Sequence, residues 1–183
     1  MKPVRALVGA LAAIVLSGQP ARAQDVGVFD TATQIAEQAV SICAAVVFDG
    51  QSFESQLDGN EDWYSVDPRG TGSNLATHAW QSTTVNTTHV MRLPNGGCSF
   101  GIDRGDSEAL RAHVQDVLAS RAPFELISQQ PARSGRATMY AYCVAEDHPR
   151  VMSIVAAERG SRPNFVLNMF RASDVAPSFC RRS

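Results

Sequence analysis

The C-terminal half of the chain carries three strand-length apolar runs, residues 138–145, 151–158 and 164–171. They are separated by Asp147-His148-Pro149 and by Arg159-Gly160-Ser161-Arg162-Pro163. Runs rich in Val, Ile, Tyr and Phe favour extended backbone, and connections this short leave no room for a crossover helix. The three strands must then be antiparallel neighbours, a meander. Upstream, residues 77–93 and 98–103 flank Pro94-Asn95-Gly96-Gly97, where Asn-Gly supplies the positive φ of a tight hairpin. Together these segments predict an antiparallel sheet of about five strands.

Two stretches repeat with helical rather than strand spacing. In 29–49 the positions Ile35, Ala36, Ala39, Val40, Ile42, Cys43, Val46 and Val47 form one wide apolar stripe. Thr31 and Gln34 have the spacing of a capping box, and Gly50 stands where a C-terminal stop belongs. After Asp106, a candidate N-cap, Leu110, Val114, Val117 and Leu118 make a second stripe that Pro123 closes. Two helices on such a sheet define an α+β two-layer fold. The order helix, hairpin, helix, meander hints at an α-β-β repeat, although no residue-level similarity accompanies it. Between the first helix and the first strand, 51–76 combines Gly59, Pro68, Gly70 and Gly72 with many polar residues and reads as a long surface loop. Loops of that length inside a domain are often functional.

The N-terminus has the make-up of a secretory leader. Lys2 and Arg5 precede an apolar run too short to span a bilayer, and Ala21-Arg22-Ala23 offers a cleavage site, so the expected arrangement is a signal peptide over 1–23 and one domain over 24–183. The leader holds three of the 16 basic residues and none of the 18 acidic ones, which leaves 13 against 18 and a net charge of −5. An acidic domain is a poor partner for nucleic acid or an anionic membrane. Its one lysine, Lys2, goes with the leader, which rules out a Walker phosphate loop and Schiff-base or pyridoxal catalysis. Arginine as the sole remaining base, with abundant alanine, fits a GC-rich bacterial genome. A periplasmic or secreted location follows, with an envelope or extracellular protein as the expected partner.

Cys43, Cys98, Cys143 and Cys180 all fall outside the leader, and an even count in an oxidising compartment predicts two disulfides. Three pairings are open. The favoured one joins Cys43 to Cys98 and Cys143 to Cys180. The lack of a C-x-x-C pair excludes a thioredoxin-like site.

Several patterns imitate chemistry without its context. Gly97-Cys98-Ser99-Phe100-Gly101 matches G-x-S-x-G, and a small serine hydrolase using Ser99 with His148 or His113 is the alternative activity. A nucleophile elbow, however, needs a strand before the serine and a helix after it, and here a turn precedes and a strand follows. Asp58, Asn60 and Asp62 resemble the start of a calcium loop, but Trp63 replaces the required Gly and Arg69 the bidentate Glu. His78, His89, His113 and His148 are not spaced as a helical metal pair, although His78 and His89 could still face each other on the first sheet segments. No catalytic residue, metal or cofactor is assigned on these grounds. Trp63 and Tyr64 in the acidic loop, with Trp80, remain as binding candidates, since such aromatics anchor partners. The expected function is a non-catalytic binding or inhibitory module acting through the 51–76 loop.

Overall fold

The computed structural model describes residues 23–71, 73–132, 135–144, 150–158 and 160–171. Its centre is a single antiparallel sheet of eight strands: β1 (Trp63–Val66), β2 (His78–Ser82), β3 (His89–Arg92), β4 (Cys98–Ile102), β5 (Glu125–Pro131), β6 (Ala137–Val144), β7 (Arg150–Ala157) and β8 (Phe165–Arg171). Across the sheet they run β1-β2-β3-β4-β8-β7-β6-β5. Three helices accompany it, α1 (Ala23–Val47), the five-residue α2 (Phe53–Leu57) and α3 (Ser107–Ala119), with a 3-10 turn at Pro68–Thr71.

The expectation of two helices on a sheet of about five strands is overturned: eight strands form the sheet and three helices accompany it. The three additional strands have separate origins. Residues 77–93, read as one strand, fold into β2 and β3, because the buried Ser82 hydroxyl accepts from the Thr84 and Val85 amides and bends the chain. The β-branched composition of 83–88 concealed that turn. Short β1 sits within the segment read as a loop, together with α2 and the 3-10 turn. Edge strand β5 is exposed on both faces over most of its length, so its sequence shows no alternation. One disulfide, Cys43–Cys98, is present among the described residues; Cys180, the partner expected for Cys143, lies outside them.

Along the chain, a helix followed by four antiparallel strands occurs twice: α1 with β1 to β4, then α3 with β5 to β8. The two meanders join where β4 pairs with β8. The repeat hinted at in the sequence is therefore a unit of one helix and four strands, with α2 and the 3-10 turn added to the first copy.

Both long helices cover one face. Within α1, Ala36, Ala39, Val40, Cys43 and Ala44 are fully buried, and these small side chains let the helix lie close on β4 and β8. The helix already runs from Ala23, so Thr31 and Gln34 are interior residues rather than a cap. Gly50, at φ 69°, ends it as expected, with the Gln51 amide returning to the Ala45 carbonyl. In α3, the Asp106 carboxylate accepts from the Glu108 and Ala109 amides at 3.0 Å each, and Leu110, Val114 and Leu118 face the sheet. Below the helices, Phe100, Ile102, Phe165, Leu167, Tyr142 and Ile154 complete the core. A Glu108–Arg111 ion pair, with the Tyr140 hydroxyl donating to Glu108, straps α3 to β6.

Cys43–Cys98 ties α1 to the start of β4 across 55 residues of chain. In the chain-entropy treatment a loop of that length contributes about 4 kcal/mol. Replacing both cysteines by Ala should lower the urea-unfolding free energy by about that amount relative to the oxidised protein. A loss below about 1 kcal/mol would show that the bridge adds nothing to the packing already there.

Candidate functional site

Because side chains alternate along a strand, the residues between the core positions point to the face that the helices leave open. Two registered rows cross that face. One runs Val66, Ala79, Met91, Ser99, Asn168, Ser153, Ala141, Ser128, one residue from each strand; the other runs Tyr64, Gln81, His89, Gly101, Val166, Val155, Met139, Gln130. A solvated face would leave both sides of the rows open to water, yet every residue of β4 is buried. The surroundings explain this. The loop between β7 and β8 brings Pro163 over Gly101, where a Cβ would sit 3.7 Å from the proline ring. Phe170 lies over Gly97, where a Cβ would stand 2.6 Å from its ring.

The result is a concavity of about 1040 Å³ over β3, β4 and β8. Its floor is the row Met91, Ser99, Asn168, Ser153, in which the Asn168 amide donates to the Ser153 hydroxyl at 3.2 Å. Ser99 is 3% exposed, lines the cavity, and has no hydrogen-bond partner for its hydroxyl among the described residues. The hydroxyl faces the open space of the cavity rather than the core, so it is available to a ligand or to water. Gly70, Thr71, Ser73 and Leu75, from the stretch read as a loop, form part of the rim. Among the described residues no helix is long and apolar enough to cross a membrane, and no three His, Cys, Asp or Glu side chains come together.

Of the aromatic candidates, Trp63 and Trp80 are in the core on the helix side, with Trp80 stacked on Phe53 at 5.6 Å between ring centroids. They offer no surface to a partner. Tyr64 alone is exposed, on the open face in the row of Gln81 and His89. Of the residues resembling a calcium loop, Asp58 is the C-cap residue of α2, Asn60 accepts from the Asp62 amide, and Asp62 accepts from Gln38 at 3.1 Å.

Ser99 occupies the middle of β4, not a strand-to-helix elbow. His113 is on α3, on the far side of the sheet, with its Nε2 4.0 Å from Glu37. His148 lies outside the described residues. The histidine that does share the cavity with Ser99 is His89, a residue the hydrolase reading passed over, and among the described residues no hydrogen bond joins the two. His78 and His89 do not face each other: His78 pairs with Arg92, while His89 pairs with Gln81 and Gly101. The site residues that sequence reasoning missed, His89, Asn168, Ser153 and Asp103, are far apart in the chain. The one available signal was a single polar residue inside an otherwise apolar strand, Ser153 within Val151 to Ala157 and Asn168 within Phe165 to Phe170.

Searches against protein-family models, curated proteins and solved structures find no match to this chain.

Burial holds the His89 imidazole below its ordinary value near 6.5, against the opposing pull of the Asp103 carboxylate. The unfolded chain therefore takes up a proton that the folded chain resists. The contribution of His89 is complete above about pH 6.5 and is lost as the pH falls through that value toward the lowered one. Denaturation at about pH 7.5 and about pH 5 should show a smaller acid-induced loss of stability in His89→Gln than in the wild type. An equal or larger loss would mean that the ring is solvated when folded.

Proposed function

We propose that this chain is an exported, non-catalytic binding protein whose ligand sits on the open face of the sheet. The observation that carries the reading is Ser99, a largely buried residue whose hydroxyl has no hydrogen-bond partner among the described residues and lines the floor of a cavity about 1040 Å³ in volume. Concave sites of this size, mostly apolar with a few placed polar groups, are the usual form of a small-molecule site. Gly70, Thr71, Ser73 and Leu75 contribute to the rim, which supports a binding role for part of the 51–76 stretch. Export is supported by the leader-like N-terminus and by a buried disulfide, since such bridges persist in oxidising compartments. The non-catalytic part rests on Ser99, which lies mid-strand without a hydrogen-bonded base among the described residues.

The test uses Val166→Trp, which projects an indole from the floor into open space. The purified protein is incubated with a small-molecule extract of the producing cell's envelope, passed through a desalting column and weighed by native mass spectrometry. The wild type should retain a bound mass that Val166→Trp, with an unchanged melting temperature, does not. Absence of any retained mass, or its persistence in the variant, would defeat the assignment. A fluorophosphonate probe should leave Ser99 unlabelled; labelling, with an esterase activity lost in Ser99→Ala, would make the protein a hydrolase.

A further inference from the structure

The cavity is polarised along the strands, and this deepens the binding reading on which it rests. At one end, around the start of β3 and the end of β4, stand His89, Asp103, Arg162 and Thr87. At the other, past the end of β3 and the start of β4, stand Leu93, Pro94, Phe170 and Leu75. The Thr77 amide donates to the Arg92 carbonyl at 2.8 Å, which sets the strand-entering segment beside Leu93 and holds Leu75 at the apolar end. Leu75 is 68% exposed, a large apolar side chain on the cavity rim that no described residue covers. From His89 to Leu93 is about 13 Å of extended chain. Midway, Ser99 presents its unpartnered hydroxyl, and Asn168 keeps its carbonyl oxygen free while its amide is committed to Ser153.

We infer that the cavity takes a small amphiphile, with a head group of no net charge at the His89–Asp103–Arg162 end and an acyl chain of medium length running over Met91 to Leu93, Phe170 and Leu75. The apolar end supplies the hydrophobic burial, about 25 cal/mol per Å² of chain covered. Ser99 and Asn168 supply one donor and one acceptor where the head meets the chain. The net charge of the head follows from the polar end itself. Asp103 and Arg162 are one acid and one base, and neither has an ion-pair partner among the described residues. A carboxylate would pair with Arg162 but meet Asp103, an ammonium would pair with Asp103 but meet Arg162, and His89, which resists protonation there, adds no charge to tip the balance. A hydroxyl- or amide-bearing neutral head, or a zwitterion, avoids both conflicts.

The experiment is a calorimetric titration of the purified protein with decanoylglycerol, decanoate, decyltrimethylammonium and glycerol, each below its aggregation concentration. Decanoylglycerol should bind at least ten times more tightly than either charged amphiphile, and glycerol should not bind. Leu75→Asp changes an exposed residue, so the fold is kept while affinity for decanoylglycerol falls at least fivefold; Ser99→Ala should weaken it severalfold. Equal affinity for charged and neutral heads, an unchanged affinity in Leu75→Asp, or no binding by any amphiphile would each overturn the inference. If the amphiphiles fail while the wild type still retains an envelope component that Val166→Trp loses, the ligand class is wrong and the cavity remains the binding site. If that component is absent as well, both fall.

Discussion

The pairing of β4 with β8 is the contact on which the rest of the molecule depends. It joins two meanders that are otherwise sequential hairpins, bringing residues 98–102 beside 165–169. Among the described residues, no other strand pair crosses from the first half of the chain to the second. On the helix side the seam creates a continuous apolar floor, Phe100 against Leu167 and Ile102 against Phe165, on which α1 lies. The disulfide reinforces that arrangement from α1 to the first residue of β4. On the other side the same seam sets Ser99 beside Asn168 and places the cavity where the two halves meet.

A sheet covered by helices on one face usually leaves the other to water, with polar residues alternating outward. Here the central strand is buried on both faces, and its outward residues are small: Ser99 and Gly101. A large side chain at either position would fill the concavity that Pro163, Phe170 and the 73–77 segment wall in. Small residues at the lowest point, with larger apolar ones at one end and ionisable ones at the other, give the open face a shape and a polarity.

Much of the architecture was legible because it rests on local signals. The α3 cap at Asp106, the helix stop at Gly50, the Asn95-Gly96 turn and the last three strands all appear where periodicity and turn chemistry put them. The strand count was not, since β1 is only four residues long, β5 has no buried face, and the Ser82 turn is built from residues that favour strands. Trp63 and Trp80 illustrate the same limit. Their types fit an interface or a core equally well, and only the packing on Phe53 and the helix side decides.

What the sequence determined by itself is therefore the inventory of local pieces: amphipathic helices, antiparallel hairpins and the class α+β, each encoded within a few residues by spacing and backbone preference. Register between distant strands is set by which faces the whole chain can bury at once. Only the tertiary structure decided that Ser99, Asn168, Ser153 and His89 share one cavity. The G-x-S-x-G pattern was visible, but its meaning was not. Gly97 leaves room for Phe170, and Ser99 and Gly101 lie inside a strand, so the motif reflects close packing and strand structure around a recess rather than a nucleophile elbow.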